Sequence, residues 1–340
     1  MLERAILSGI RARVAREKDI RTRVGRNRAL RMGIGDDAAV LAVRRDEEIV
    51  VTTDFSLEDV HFRRGWHAPE AVGHKCLARG LSDIAAMGAR PVAAFLSLAV
   101  PPELTRDREG GESGVGAWFD RFYRGLLLLA ERWKVPLAGG DLAQSPGGAR
   151  SRVAADIVVV GAVERGRALL RSGARAGDAL YVTGTLGGAA AELRALTRSP
   201  ARYRSVILDT PEHPHFFPQP RISIGCALVR RRLATAAIDI SDGLSVDLQH
   251  LCEESELRAE VDATLLPLGA GATLEDALHG GDDYELLFTA DAEARVPRSI
   301  AGVPIHRIGT MLRRKSGAPR MMLLTDGRRS ELKAEGWQHF

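Results

Sequence analysis

Short apolar runs alternate with helical patterns along most of the chain, and this alternation leaves few fold classes open. VAAFLSLAV at 92–100 and ALYVTG at 179–184 have the length of single β-strands, whereas residues 2–14 carry an apolar residue at every fourth position, the spacing of a helix face. Strands and helices intermingle in both halves, which favours an α/β or α+β fold. No apolar run approaches the ~20 residues that a membrane-spanning helix needs.

The patterns predict an ordered series of elements, and a polar stretch divides the series in two. Predicted strands lie at 38–43, 48–53, 92–100, 135–138, 153–163, 179–184 and 236–240, and predicted helices at 69–88, 117–133, 222–233 and 244–255. The segments 102–116 and 211–221 are predicted loops because they are rich in Pro, Gly and polar residues. Residues 164–178 are predicted to link two domains, 1–165 and 166–340, which suits a chain of 340 residues.

The net charge of +4 comes with a strong bias toward arginine, which raises the question of a nucleic-acid partner. Eight arginines lie between Arg11 and Arg31. This segment lacks the interleaved aromatic residues of a single-strand binder and any zinc-finger or RNA-motif spacing. A solvated helix and loop is therefore favoured over nucleic-acid contact, with a flap over a bound nucleotide as a third alternative. We expect no nucleic-acid partner.

Cysteine usage predicts a cytoplasmic protein, and the N-terminal segment is predicted to stay on the mature chain. The three cysteines are odd in number, widely spaced and set among apolar neighbours, which is typical of buried thiols in a reducing compartment. The first residues are charged and amphipathic and lack the apolar core of a signal peptide. Cys76 and Cys252 are predicted core residues, as are Tyr181 and Phe288.

Apolar runs end or begin at carboxylates at six places in the sequence. The six stretches are GIGDDAAV (33–40), VVTTDF (50–55), GLSDIAAMG (80–88), LAGGDL (137–142), IDISDG (238–243) and GGDDYELLF (280–288). The simplest interpretation makes Ser82-Asp83 and Ser241-Asp242 helix caps and each Gly-Asp-Asp a turn. Six such sites are more than caps and turns readily explain, because carboxylates clustered at strand ends repel one another unless a cation lies among them. Mg²⁺ prefers such oxygen ligands and usually shares them with phosphate. We therefore predict a nucleotide site with several Mg²⁺ ions.

The usual nucleotide motifs are missing from the sequence. It contains no Gly-Lys dipeptide, which excludes a Walker A loop, and no HRD or DFG, which excludes a protein kinase. TGTLGGAAA at 183–191 is a glycine-rich junction between strand and helix. Phosphate binding and tight helix packing explain it equally well.

The six acidic stretches, together with GRALLRSGARAGD, YVTGTLGG and the closing GWQHF, resemble the bacterial thiamine-monophosphate kinase family in order and spacing. The resemblance runs from about residue 33 to Phe340. It implies an aminoimidazole-ribonucleotide-synthetase-like fold, with an N-terminal domain that dimerises through its sheet and a C-terminal α/β domain. It also implies a homodimer with ATP in the cleft at the dimer interface, and ATP- and Mg²⁺-dependent phosphorylation of thiamine monophosphate to thiamine diphosphate.

The resemblance also implies roles for individual residues. The implied Mg²⁺ ligands are Asp37, Thr52, Thr53, Asp54, Asp83, Asp141, Asp239 and Asp242, of which Asp239 and Asp242 are the catalytic pair. The implied ATP contacts are Gly140, Asp141, Arg171 and Ser241. The implied thiamine phosphate contacts are His61, Asp282 and Trp337. No general base is assigned, because the accepting phosphate is already ionised near neutral pH.

The sequence departs from the family pattern mainly on the substrate side. Asp282 stands where the family commonly has Glu, Trp337 where it has Tyr, and Asp59 where it has Gly. The helix at 69–88 carries His74 and Arg79 in place of the usual residues. A related kinase that acts on a different phosphorylated small molecule is therefore the alternative. A non-catalytic nucleotide-binding protein is disfavoured by the full aspartate set. His213 and His215, in the Pro-rich loop, are predicted to form a surface turn rather than a metal site.

Overall fold

The computed structural model describes residues 29–34, 37–104, 117–203 and 212–337. The predicted helix at 2–14, nearly all of the arginine-rich segment and most of the loop at 102–116 lie outside these residues. The described residues form two compact units. The first contains the described residues up to Leu81, then Pro91–Ala162 and the described part of 200–209; the second contains Ser82–Arg90, Val163–Ser199 and the described residues from 212 onward. The domain bounds 1–165 and 166–340 stay a prediction.

The first unit is built on a four-stranded sheet with two longer helices, and the one-turn helix Pro200–Tyr203 also belongs to it. A short antiparallel pair, β1 (Leu30–Met32) and β2 (Val40–Leu41), precedes the sheet. The sheet comprises β3 (Glu47–Leu57), β4 (Arg90–Val100), β5 (Leu137–Gln144) and β6 (Ala154–Glu164) in the order β3-β6-β4-β5. The helices are α1 (Pro69–Ala86), which belongs to this unit as far as Leu81, and α2 (Ala117–Trp133). They approach so closely that a Cβ on Gly73 would lie 1.9 Å from the carbonyl oxygen of Phe122, so this contact requires glycine.

The second unit is built on an eight-stranded, mainly antiparallel sheet. Its strands are β7 (Ala179–Thr183), β8 (Ala236–Ile240), β9 (Arg258–Asp262), β10 (Glu285–Ala290), β11 (Ser299–Ile300), β12 (Val303–Leu312), β13 (Met321–Thr325) and β14 (Arg328–Glu331). The order is β14-β13-β9-β12-β7-β10-β8, with β11 paired to β12. The longer helices are α3 (Gly188–Arg198), α4 (Ile222–Arg230), α5 (Leu244–Glu254) and α6 (Leu274–His279). Every residue of β8 is buried, so any charge on this strand must be balanced inside the protein.

The fold class is confirmed, and α1, α2, α4 and α5 begin at the predicted residues. Two strands run further than predicted. Asp54 lies inside β3 and Asp141 inside β5, so the prediction that these two strands end at their carboxylates is wrong. The physical reason is that β5 keeps its backbone pairing with β4 as far as Gln144, and such pairing does not depend on an apolar side chain at each position.

The predicted core residues lie in the core, apart from one partly buried ring. Cys76, Cys252 and Phe288 are buried, and Tyr181, which is partly buried, stacks on Phe288 with 5.2 Å between ring centroids. Burial raises the pKa of Cys76 and of Cys252 to about 12, so both thiols stay protonated and unreactive near neutral pH. Among the described residues, every helix is too short or too polar to cross a bilayer.

Candidate functional site

The end of β8 places a buried carboxylate in the second unit. Asp239 is only 5% exposed, and the hydroxyl of Ser82 donates a hydrogen bond of 2.6 Å to its Oδ2. Ser82 and Asp83 lie near the C-terminal end of α1. The interpretation of these two residues as a helix N-cap is therefore wrong. Ser82 instead supplies a polar partner to a buried carboxylate on a strand.

The loop after β8 is held by a residue that the sequence analysis missed. Gly243, with φ 114°, precedes α5 and makes no side-chain cap, so the interpretation of Ser241-Asp242 as a helix cap is also wrong. Asp247, one turn into α5, accepts hydrogen bonds of 3.1 Å from the backbone N–H groups of both Ser241 and Asp242 through Oδ2. A first-turn aspartate after a Ser-Asp-Gly loop was the available sequence signal, since such side chains readily bond nearby backbone.

Negative charge accumulates around this loop. Burial raises the pKa of Asp247 well above its usual value, and the charges of Asp239 and Asp242 raise it further, while the two backbone N–H groups lower it. Three carboxylates thus influence one another within a few residues of the strand end. A bound dication would relieve this repulsion, and carboxylate and hydroxyl oxygens are the donors that Mg²⁺ prefers. The residues present therefore fit the predicted ion.

Two further segments are attached to the same loop by backbone hydrogen bonds. Asp282 donates its N–H to the carbonyl of Ser241 at 2.8 Å, and Trp337 donates its N–H to the carbonyl of Asp242 at 2.9 Å. A Cβ on Gly336 would lie 2.1 Å from that same Asp242 oxygen, so the close approach requires glycine. The fold thus brings together four predicted site residues from three distant parts of the chain. Trp337 itself is 47% exposed.

The side chain of Asp282 is itself positioned by two aromatic residues. The residue has φ 69°, which Asp tolerates better than most residues. The hydroxyl of Tyr284 donates to Oδ1 at 3.0 Å, and Nδ1 of His215 lies 3.7 Å from Oδ2. His215 is only 2% exposed. The prediction that it belongs to a surface turn is therefore wrong, because the Pro-rich loop packs this ring inward.

The glycine-rich stretch at 183–191 serves packing within the second unit. Asp283 accepts a 2.7 Å hydrogen bond from the N–H of Gly187 through Oδ2. A Cβ on Gly187 would lie 2.7 Å from the backbone nitrogen of Ala277, and a Cβ on Gly184 would lie 2.0 Å from the carboxylate of Glu285. Arg221 and Thr183 both donate to this same Glu285 carboxylate. Of the two explanations left open, the structure favours tight packing.

Arg171 lies in a different segment from the loop after β8. It begins a short 3₁₀ turn, Arg171–Gly173, and its side chain is exposed. Its carbonyl accepts a 2.6 Å hydrogen bond from the hydroxyl of Ser255. The backbone at Arg171 is therefore held, and its guanidinium faces solvent.

Three of the predicted site residues of the first unit lie on β3. Thr52, Thr53 and Asp54 follow one another along this strand. The hydroxyl of Thr53 donates a 2.6 Å hydrogen bond to Asp156 on β6, a carboxylate that the sequence analysis did not select. Oδ1 of Asp54 lies 3.2 Å from Nη2 of Arg79 on α1. Asp54 is thus already neutralised by a cation of the protein itself.

The other predicted residues of the first unit are spread over several segments. Asp141 lies on β5 and is exposed; β5 and β3 are the two edges of the sheet. Gly140 has φ 145°, and a Cβ there would lie 1.9 Å from the carbonyl oxygen of Leu96. His61 accepts a 2.9 Å hydrogen bond from the N–H of Leu57 through Nδ1. Asp37 is exposed.

Comparison with known families and proteins identifies the chain's relatives. Residues 35–163 match the family AIR synthase related protein, N-terminal domain, and residues 175–321 match its C-terminal domain. The thiamine-monophosphate kinase of Bacillus subtilis (strain 168) is 33% identical over 318 residues, which cover 90% of this chain and 92% of the relative. The chain belongs to the thiamine-monophosphate kinase family. The Escherichia coli (strain K12) member of the family is 35% identical, with 90% of each chain covered.

Solved structures of thiamine-monophosphate kinases share the fold. The crystal structure from Stenotrophomonas maltophilia K279a has a TM-score of 0.73 and 35% identity, covering 93% of this chain and 96% of that one. AaThiL complexed with AMPPCP and TMP has a TM-score of 0.69 and 30% identity, with 95% of each chain covered. The resemblance to the kinase family stated from the motifs is confirmed.

Replacing Asp247 should separate its hydrogen bonds from its charge. Asp247→Asn keeps an oxygen that can accept from both backbone N–H groups, whereas Asp247→Ala leaves both without this partner. We expect the alanine variant to be less stable than the asparagine variant by about 1–3 kcal/mol, since unsatisfied buried donors are costly. Urea denaturation followed by circular dichroism measures the difference. Equal stability of the two variants would show that Asp247 does not hold the loop.

Asp283 should make stability depend on pH. Burial raises its pKa from 3.8 to about 8, and the nearby Glu285 and Asp282 charges contribute in the same direction. The folded state therefore keeps a proton that the unfolded state releases. The contribution of this proton to the free energy of unfolding is complete below the unfolded-state pKa of 3.8, and it is lost as the pH rises toward the folded-state pKa of about 8. Asp283→Asn should remove this dependence. The free energy of unfolding of the variant should therefore rise relative to that of the wild type between about pH 5 and pH 8.

The measurement is a series of urea titrations from about pH 5 to pH 9, with the exposed Asp291→Asn as the matched control. Asp291 accepts only a local backbone hydrogen bond, so its variant should parallel the wild type. A constant difference between Asp283→Asn and the wild type across the series would contradict the assignment.

Proposed function

We propose that this protein is a thiamine-monophosphate kinase that transfers the γ-phosphoryl group of ATP directly to thiamine monophosphate, giving thiamine diphosphate. The observation that carries the proposal is the junction after β8, where Ser241, Asp242, Asp282 and Trp337 are held together by backbone hydrogen bonds. Relatives that share 33–35% identity over 90% of the chain carry this name. A structurally similar family member binds AMPPCP and TMP.

The carboxylates of both units are proposed to hold Mg²⁺. Asp83, Asp239 and Asp242 would do so in the second unit; Asp37, Thr52, Thr53, Asp54 and Asp141 would do so in the first. Bound Mg²⁺ neutralises phosphate charge and stabilises the leaving diphosphate. The protein's own contribution is positional, because Ser82 orients Asp239 and Asp247 orients the backbone that carries Asp242. Phosphoryl transfer depends mainly on such positioning and on charge stabilisation.

The nucleotide is proposed to contact Ser241, Arg171, Gly140 and Asp141. Ser241 lies where the backbone is fixed by Asp247, so its hydroxyl is presented from a rigid strand end. The exposed guanidinium of Arg171 can pair with phosphate oxygens in a bidentate manner. Asp54 is paired with Arg79, so ion binding at Asp54 would require this contact to loosen.

The acceptor is proposed to contact His61, Asp282 and Trp337. Thiamine carries a positively charged thiazolium ring, which suits both a carboxylate and the face of an indole. Asp282 keeps its carboxylate oriented through Tyr284 and His215, which offers a reason why the shorter side chain can replace the family's usual Glu. The acceptor phosphate is already an anion, so the reaction needs no strong base.

The decisive experiment is ³¹P NMR of the purified full-length chain with ATP, Mg²⁺ and thiamine monophosphate. We expect thiamine diphosphate and ADP to accumulate only when Mg²⁺ is present. Asp242→Asn should lower the rate about 100-fold or more, because one preorganised charge-stabilising group is lost. The exposed Asp291→Asn is the matched control and should react like the wild type.

Turnover of ATP without thiamine diphosphate would overturn the substrate assignment and favour the alternative, a related kinase with another phosphorylated acceptor. One observation makes that alternative worth testing. Asp59, two residues before His61, has φ 70° and forms an ion pair with Arg152. This places charged groups beside a proposed substrate contact.

We also propose that the protein acts as a cytoplasmic homodimer that pairs through the sheet of the first unit. Ile49, Val51 and Phe55 alternate along β3 and are 56%, 61% and 59% exposed. Alternate residues on a strand share one face, so these three form an apolar stripe on an edge strand. Exposed apolar stripes of this kind mark interaction surfaces. Thr53, a proposed Mg²⁺ ligand, lies at an alternate position of the same face.

Val51→Glu should weaken the proposed dimer, because burying a carboxylate in an apolar interface is costly. Size-exclusion chromatography with light scattering should report a dimer for the wild type and a monomer for the variant. Leu128→Glu is the control, since Leu128 is 55% exposed and lies on the helix α2, outside the sheet. A monomeric wild type, or a dimer in all three proteins, would refute pairing through this strand.

A further inference from the structure

Three side chains of the second unit that the proposed kinase reaction does not use bring potential metal ligands together. Glu275 and His279 are four residues apart on α6, and Glu335 lies on the C-terminal segment 332–337. Residues at this spacing project from the same face of a helix. One ligand atom from each of the three residues lies within 4.8 Å of the others.

The imidazole of His279 is held in place by a residue outside this group. The hydroxyl of Ser245, which is fully buried, lies 2.9 Å from Nδ1 of His279. With Nδ1 engaged in this way, Nε2 is the ring nitrogen left to bind an ion. Histidines that bind metals characteristically use their second nitrogen in such a hydrogen bond, which fixes the ring.

The same hydroxyl also positions the segment that carries Glu335. Oγ of Ser245 accepts a hydrogen bond of 3.4 Å from the N–H of Glu335. On either side of Glu335, Leu332 donates its N–H to Met321 at 3.0 Å and Trp337 donates its N–H to Asp242 at 2.9 Å. The backbone of all three candidate ligands is therefore anchored, and only the two glutamate side chains need to rotate.

The charges of this group are unbalanced within the described chain. Glu275 and Glu335 place two carboxylates close together, and neither forms an ion pair with a Lys or Arg among the described residues. Like charges at this separation repel. A cation between them would turn the repulsion into attraction.

We propose that Glu275, His279 and Glu335 bind a divalent first-row transition metal ion, represented by Zn²⁺, with water as the remaining ligand. One imidazole nitrogen and two carboxylate oxygens match the ligand sets of open zinc sites, with bond lengths of about 2.0–2.2 Å. A tetrahedral arrangement with such bonds separates ligand atoms by about 3.4 Å. Small rotations of the two exposed glutamates would reach this from the separation observed. The imidazole favours a transition metal over Mg²⁺.

The ion would join α6 to the C-terminal segment. Glu335 is two residues before Trp337, and His279 is three residues before Asp282. Metal binding would therefore restrain the two segments that carry proposed acceptor contacts, a consequence that rests on the proposed function. Metal binding itself does not depend on that function.

Isothermal titration of Zn²⁺ into the purified full-length chain tests the proposal, with excess Mg²⁺ present to occupy the aspartate sites and no ATP or thiamine monophosphate. The wild type and the matched control His250→Ala, on α5, should each bind one equivalent. His279→Ala and Glu335→Gln should each bind at least about tenfold more weakly, and Ser245→Ala should lose about tenfold through loss of the supporting hydrogen bond. Co²⁺ should give the strong visible absorption of a four-coordinate site in the wild type and not in His279→Ala.

The proposal would be overturned if the wild type did not bind Zn²⁺. It would also be overturned if His279→Ala and Glu335→Gln bound Zn²⁺ as tightly as the wild type does. Far-UV circular dichroism checks that the variants fold. If His279→Ala does not fold, Glu335→Gln decides the question, because its side chain is exposed. Failure of this test would leave the kinase reaction unaffected, and absence of kinase activity would leave the Zn²⁺ titration interpretable.

Discussion

The hydrogen bonds from Ser241 and Asp242 to Asp247 are the contacts on which the arrangement of the second unit's site depends. They hold the loop after β8 in one conformation without any side-chain helix cap. The carbonyls of this loop then accept the N–H groups of Asp282 and Trp337. One carboxylate thus organises, through backbone, three segments that lie far apart in the sequence.

This organisation carries an electrostatic cost that is consistent with the proposed function. Burial raises the pKa of Asp247, and Asp239 and Asp242 lie close enough to raise it further. Buried carboxylates are expensive unless they are hydrogen-bonded or paired with a cation. Ser82 and the loop backbone supply hydrogen bonds, and an Mg²⁺ ion would supply the charge. Sites for phosphoryl transfer need such a surplus of negative charge, since it recruits the ions that neutralise phosphate.

Much of this site could be predicted from the sequence, but not the way it is built. Asp239 lies within a buried strand that Ser241 and Asp242 follow, and the order of the acidic motifs identified the family. Cap propensity suggested that Ser82 and Ser241 begin helices, yet one lies near the end of α1 and the other is held by Asp247. Propensity is a local property, and tertiary contacts overrode it at both positions.

Local patterns also misplaced several residues whose surroundings come from distant parts of the chain. His215 lies in a segment of Pro and His that is typical of a surface turn, but its ring is buried beside Asp282. The glycines at 184 and 187 lie in a stretch for which phosphate binding was one of two explanations. In the structure, Gly184 is required by the close approach of the Glu285 carboxylate and Gly187 by that of the Ala277 backbone. Neither neighbour can be inferred from sequence position.

The fold class, the family and the candidate acidic residues follow from the sequence, because apolar periodicity and motif order are properties of the chain alone. Which carboxylates share a loop and which glycines lie at close contacts depends on how the chain folds, as does the support that Asp156, Asp247 and Ser245 give their neighbours. The physical reason is that hydrogen bonds, burial and charge repulsion act over a few ångströms in space. Residues that are close in space, such as Asp242 and Trp337, are separated by nearly a hundred positions along the chain.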